Sequence, residues 1–205
     1  MIDSITAVIL AGGKSSRMGR NKALLPIEGK PLIEHIQKRL SEIFSQIVIS
    51  TATANAFPQL QLPEVVDRYA ETGPLGGITS VLESGLSPIF CVACDMPFLN
   101  RELIEFQCSI LDRDAVIPVW DGRPEVLHSV YRATLLPAFQ HGIKESLYKI
   151  SDSLEESNIR YLLEEEIRRY DPNGFSFRNI NTPEDYASLK AQLRRGGDSP
   201  RRTGL

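Results

Sequence analysis

Cysteine is too sparse in this chain for a disulfide framework or a four-ligand zinc site, because Cys91, Cys94 and Cys108 form an odd set. Only Cys91 and Cys94 are close, and they fall in the strand-like run Ile89 to Cys94, where small apolar residues read as core packing rather than a redox pair. Cys108 falls on an amphipathic helix face. His35, His128 and His141 are isolated from one another, so no histidine metal cluster is suggested. A concentrated basic face is also missing. The net charge is −3 with cations dispersed along the sequence, which argues against a nucleic-acid partner and favours small anionic ligands. No apolar stretch approaches the roughly 20 residues of a membrane helix, and no cationic leader precedes one, so a cytoplasmic location is expected. Neither an internal repeat nor a domain-separating linker is visible. With 205 residues, 42% of them hydrophobic, the expectation is one domain over residues 1–193. The Gly-, Arg-, Ser- and Pro-rich tail, 194–205, is expected to be disordered.

What is present is an alternation of strand and helix patterns, the mark of an α/β fold with a mostly parallel sheet covered on both faces. Strands are expected at Thr6 to Leu10, Ile47 to Ser50, Glu64 to Asp67 and Ile89 to Ala93, the last without polar residues and hence central. Asp114 to Trp120 and Glu125 to Arg132 read as strands around a turn at Asp121-Gly122. Pro31 opens a helix whose apolar positions Leu32, Ile33, Ile36, Leu40 and Ile43 recur at helical spacing. Further helices are expected at Leu75 to Ser84, Leu135 to Phe139 and Ile143 to Leu154. The charged stretch 154–170 reads as a solvated helix face or a loop, with no function assigned.

Chemistry concentrates first at residues 10–22, L-A-G-G-K-S-S-R-M-G-R-N-K, directly behind the first strand. Gly12, Gly13 and Gly19 let backbone N–H groups face phosphate oxygens, and Lys14, Arg17 and Lys22 supply positive charge. Two common phosphate motifs are excluded by spacing. A Walker A loop ending at Gly13-Lys14-Ser15 requires glycine where Val8 stands, and G-x-G-x-x-G fails because residues 14–18 contain no glycine. Ligands of open α/β sheets bind at the carboxyl ends of strands, which singles out Asp95 after the fourth strand and Asp67 after the third. A carboxylate leaving a buried strand is costly unless something binds it, and Mg²⁺ prefers a carboxylate combined with phosphate oxygens. Helix capping ahead of Pro97 is the other reading of Asp95. Gly73-Pro74-Leu75-Gly76-Gly77 offers close backbone approach at a helix N-terminus, suited to a base or ribose, or else a tight turn. In Asn181-Thr182-Pro183-Glu184-Asp185, Thr182 suits an N-cap, Pro183 the first helical position and Asp185 the third. Capping does not explain Asn179 or Asn181.

The first of these motifs resembles the signature L-A-G-G-x-S-x-R-M-G-x-x-K of the nucleotidyltransferases that build nucleoside-diphosphate sugars and related cofactors. V-x-D, G-P-L-G-G, C-D-x-P and F-x-N-x-N-T-P-E-D then follow in the order seen in the molybdenum cofactor guanylyltransferases, the molybdopterin-guanine dinucleotide biosynthesis protein A family. The resemblance covers roughly residues 5–190 and is weakest around Arg123-Pro124-Glu125. It implies a Rossmann-like three-layer nucleotidyltransferase fold. It also implies that Leu10, Ala11, Gly12, Gly13, Arg17, Lys22, Ser50, Asp67, Gly76, Gly77 and Asp95 face GTP. Ser50 stands where relatives often carry an asparagine. Arg17, Lys22 and Asp95 are the implied catalytic groups, Asp95 the ligand of Mg²⁺, and Asn179 and Asn181 neighbours of the pterin.

The implied reaction is GMP transfer from GTP to the phosphate of molybdopterin or molybdenum cofactor, with release of pyrophosphate. Transient contact with molybdoenzyme maturation proteins is implied as well. A phosphate monoester, with its second pKa near 6, is already an ionised nucleophile at neutral pH, so no general base is required. CTP or a sugar phosphate as substrate, and a non-catalytic carrier of GTP and molybdenum cofactor, remain alternatives at this point.

Overall fold

The structure is a computed structural model that describes residues 1–12, 21–110 and 112–196. Strand β1 (Thr6–Leu10) leads to the site loop, a short 3-10 turn at Lys22–Leu24 and a two-residue hairpin, β2 (Pro26–Ile27) and β3 (Lys30–Pro31). Then come α1 (Leu32–Ser41), β4 (Ile47–Thr51), β5 (Glu64–Val66), α2 (Pro74–Glu83), β6 (Ile89–Ala93) and α3 (Arg101–Ser109). The second half contains β7 (Ala115–Trp120), β8 (Arg123–Pro124), β9 (His128–Tyr131), α4 (Leu136–Lys144), β10 (Ile159–Leu162), α5 (Glu164–Ile167) and α6 (Pro183–Gly196).

The main sheet has the order β10-β7-β9-β6-β1-β4-β5, with β8 paired to β7. β1 lies parallel between β6 and β4, with Leu10 level with Ala93 on one side and Ser50 on the other. The sheet divides the core by the alternation of its side chains. Ala7, Ile9, Phe90 and Val92 pack with Ile33 and Ile36 of α1 and Leu103 and Ile104 of α3. Val8, Ile89 and Cys91 pack on the other face with Ile78 and Val81 of α2 and Phe139 of α4. This is the three-layer arrangement, with β6 wholly buried as its apolar sequence requires. A smaller cluster of Ile27, Leu32, Phe175, Ile180 and Tyr186 ties the β2–β3 hairpin to α6.

Local chemistry explains the helix starts. Gly73 takes φ +64° before Pro74 opens α2. Asn100 caps α3, its Oδ1 accepting from the Leu103 backbone N–H at 2.9 Å. At α6 the Thr182 hydroxyl accepts from Asp185 N–H at 3.1 Å while the Asp185 carboxylate accepts from Thr182 N–H at 2.9 Å, a reciprocal capping box.

Three segments depart from the sequence reading. No helix spans Ile143 to Leu154: α4 ends at Lys144, Ser146 takes φ +60°, and a 3-10 turn at Ile150–Leu154 folds back on α4. The return is tight, because a Cβ on Gly142 would lie 2.1 Å from Ser153 Oγ. The strand expected from Glu125 is confined to His128–Tyr131, since His128 N–H bonds the Glu125 carbonyl at 3.0 Å in a turn ahead of β9. Within 154–170 an edge strand, β10, precedes α5, whose three glutamates sit in the first turn where the helix dipole favours them. Arg194–Gly196 continue α6, and 197–205 lie outside the described residues.

Candidate active site

The carboxyl ends of β1, β4, β5 and β6 form one edge of the sheet, and backbone bonds carry their loops past it in register. Ala11 N–H donates to the Ser50 carbonyl at 2.8 Å, Cys94 N–H to Leu10 at 3.2 Å, and Asp67 N–H to Thr51 at 2.8 Å. Leu10, Ala11 and Gly12 therefore lie between the ends of β4 and β6. A Cβ on Gly12 would come 3.4 Å from the Ala52 nitrogen, so the two loops run close together. Gly13 and Arg17, with the rest of the basic loop at 13–20, lie outside the described residues.

Lys22 returns from that loop into the edge. Its Nζ donates to Asn181 Oδ1 at 2.5 Å and stands 3.8 Å from Asp95 Oδ2. The peptide next to Asn181 is anchored at the same place, Ile180 N–H donating to the Asp95 carbonyl at 2.8 Å. Asn181 is held from behind, its N–H donating to the Asp185 carboxylate at 3.0 Å. Lys22, Asp95 and Asn181, far apart in sequence, thus meet at one point. Asp95 does not cap a helix, since α3 begins at Arg101 under Asn100. Burial pushes the Asp95 carboxyl above its ordinary range and the Lys22 charge pulls it back in part. Asn179, two residues before Asn181, is exposed.

The β4–β5 flank carries the remaining sequence-predicted residues. Asp67 Oδ1 accepts from Tyr69 N–H at 2.8 Å and Ser80 Oγ at 3.2 Å, and burial raises its carboxyl pKa. The two glycines opening α2 are needed inside the protein. A Cβ on Gly76 would lie 2.1 Å from Thr72 Oγ1 and 2.9 Å from the Tyr69 carbonyl, and one on Gly77 would lie 2.9 Å from Ser50 Oγ. Ser50 is buried beneath the first turn of α2. Close approach is thus a property of this turn, directed inward by the Cα–Cβ vectors.

Among the described residues no three His, Cys, Asp or Glu side chains cluster to hold a metal ion. Asp95 is a single half-buried carboxylate at the strand edge that holds Leu10–Gly12. That donor set fits a hard divalent ion whose other ligands are substrate oxygens rather than protein groups. Cys94 adjoins Asp95, but burial pushes its thiol to about 12, so it stays protonated. His128 is core, wedged edge-on between Phe90 and Phe177. In the sequence nothing but its place beside the Asp121-Gly122 turn sets Glu125 apart. In the structure it is half-buried, and the antiparallel register of β9 on β6 carries it past the carboxyl end of β6.

A mostly parallel sheet with a glycine-rich sequence after its first strand, and a lysine 3.8 Å from the carboxylate that follows the adjacent strand β6, marks a nucleotidyltransferase. Residues 7–159 match the family model described as the MobA-like NTP transferase domain, and the chain belongs to that family. It is 35% identical over 201 residues to the probable molybdenum cofactor guanylyltransferase of Natranaerobius thermophilus, covering 94% of this chain and 98% of that protein. The corresponding protein of Carboxydothermus hydrogenoformans is 33% identical over 190 residues, covering 92% and 96%. The crystal structure of molybdopterin-guanine dinucleotide biosynthesis protein A from Archaeoglobus fulgidus superposes with a TM-score of 0.79 at 27% identity, covering 93% of this chain and all of that one. A cytidylyltransferase of Thermus thermophilus, 15% identical with a TM-score of 0.63, covers 91% and 98% and shares the fold. Asn181 and Asp185 lie beyond the span of the family model.

Proposed function

We propose that this protein transfers GMP from GTP to the terminal phosphate of molybdopterin or its molybdenum-loaded form, giving the guanine dinucleotide and pyrophosphate. The observation that carries the reading is the meeting of Lys22, Asp95 and Asn181 beside Leu10–Gly12. Relatives named as molybdenum cofactor guanylyltransferases, aligned over nearly the whole chain, support the choice of substrates.

An acceptor phosphate oxygen attacks the α-phosphorus, the bond from that phosphorus to the bridging oxygen breaks, and pyrophosphate leaves with the electron pair. The acceptor is already ionised, so the protein's task is in-line positioning and neutralisation of charge on the leaving group. Lys22 supplies a cation fixed by Asn181, and Arg17 and Gly13 complete the cradle by their place in the motif. Asp95 is the group to hold Mg²⁺ against the phosphates, and the bound ion would supply Lewis-acid stabilisation of the phosphate oxygens. Ser50, Asp67, Gly76 and Gly77 line the flank on which the base and ribose lie. Among the described residues both Asp67 side-chain hydrogen bonds fall on Oδ1, leaving Oδ2 for a ligand donor. Asn179 and Asn181 lie toward the pterin.

The test is magnesium-dependent pyrophosphate release from GTP, CTP, ATP and UTP, each with and without molybdopterin. Release from GTP alone, and only with the pterin, is the expected result. Release from CTP alone overturns the base assignment, and GTP binding without release makes the protein a carrier.

A further inference from the structure

Glu125 has no part in the reaction described above, yet its backbone is fixed at the edge of the site. β9 runs antiparallel to β6, with His128 level with Val92, and Ala93 N–H donates to the Leu127 carbonyl at 3.0 Å. Two residues further out, Glu125 lies past the end of β6, on the side where Cys94 and Asp95 leave it. Its N–H donates to the Pro118 carbonyl at 2.8 Å, and its carbonyl accepts from His128 N–H at 3.0 Å and Ser129 Oγ at 2.8 Å. The main chain at this point is pinned by three bonds. The side-chain carboxylate, in contrast, makes neither a hydrogen bond nor an ion pair among the described residues. Burial holds its pKa up to about 7, with Arg123 opposing and Asp121 adding to the rise. A half-buried carboxylate has given up part of its hydration, and a ligand bringing N–H donors would replace what it has lost.

The sheet order decides which ligand. Asp67 and Gly76 lie on the β5 flank, while Glu125 enters β9 on the opposite side of β1 and β6. From β5 to β9 is four strand spacings, roughly 19 Å, so a base held near Asp67 cannot also reach Glu125. The ligand on this flank is the acceptor. Building on the guanylyl-transfer reading, we propose that Glu125 is a specificity residue that recognises the acceptor pterin through the adjacent N–H donors of its 2-amino-4-oxopyrimidine edge. A carboxylate accepts such a pair with both oxygens, and a charge-assisted bidentate contact of this kind changes affinity roughly ten- to a hundredfold.

Glu125→Gln keeps the shape and replaces one acceptor with a donor. The expected result is a KM for molybdopterin raised at least about tenfold, with the KM for GTP unchanged. A rise in the GTP KM instead, or no change in either, overturns the proposal. A second measurement is independent of turnover: fluorescence titration with 6-hydroxymethylpterin monophosphate and with its 2,4-dioxo analogue, which presents a carbonyl where the pterin has its amino group. The unsubstituted protein should prefer the amino compound roughly tenfold or more, and Glu125→Gln, whose amide can donate to the 2-carbonyl, should lose or reverse that preference. Equal binding of both by the unsubstituted protein, or binding of neither, overturns the proposal. Discrimination without guanylyl transfer would leave this recognition standing and refute the catalytic reading.

Discussion

The Lys22 ammonium donates to the Asn181 side chain at 2.5 Å, joining residues 159 positions apart in the sequence at the point where Asp95 leaves β6. A long, mobile side chain is thereby given one direction, and the rotamer entropy it would lose on meeting a phosphate is lost on folding instead.

Loss of the charges themselves should be severe. Lys22→Ala and Asp95→Ala are each expected to lower kcat by about 10² to 10³, the range for removal of one transition-state stabilising group. Pyrophosphate release under saturating GTP and pterin measures this, with unfolding midpoints confirming that both variants are folded. Near-normal turnover in both would remove the site assignment.

Asn181→Ala removes the tether and leaves the charge. At saturating pterin, where any loss of pterin binding by Asn181 is masked, we expect a fall in kcat of about tenfold, smaller than for Lys22→Ala, and the double variant should have a kcat no lower than Lys22→Ala alone. Multiplying effects would show that Asn181 acts independently of Lys22.

Gly77→Ala should destabilise the protein by about 1–3 kcal/mol, because the new methyl meets Ser50 Oγ at 2.9 Å. Adding Ser50→Ala removes that oxygen and should restore part of the loss, read as a recovery of the urea midpoint. Gly76→Ala has no such remedy. Its methyl also meets the Tyr69 carbonyl at 2.9 Å, so backbone must move.

His128 is buried with neither ring nitrogen bonded among the described residues, and burial pushes its pKa down to about 4 from 6.5. The unfolded chain takes up the proton first, so this residue's contribution is complete above pH 6.5 and is lost as pH falls toward 4. The loss amounts to about 3 kcal/mol. Urea denaturation at pH 7.5 and 4.5 should show it, and His128→Leu should flatten that part of the profile.

The strands lining the site were legible because each is a short apolar run closed by a polar residue: Thr6 to Leu10 before the glycine loop, Ile89 to Ala93 before Cys94 and Asp95. The capping box at Thr182 and Asp185 was legible for the same local reason. What was not legible depends on contacts between distant segments. Residues 143–154 have a helical pattern, but the turn that docks Ser153 on Gly142 requires a break at Ser146. β10 carries Arg160 and Tyr161 among its four residues and is a strand by virtue of pairing with β7. The inward packing at Gly76 and Gly77, whose missing Cβ atoms face Thr72 and Ser50, likewise depends on segments distant from α2 or on the loop before it. Glu125 carried no local signal at all, and its position follows from the antiparallel course of β9.

The anchoring of Lys22 by Asn181 also has a consequence for the order of synthesis. The glycine loop is synthesised before Asn181, which follows the ten strands of the described residues. A nascent or truncated chain can therefore display the loop and the strand edge without the clamp that aims the lysine. The contact that aims the lysine therefore forms only once the segment leading into α6 has docked on Asp95 and Lys22.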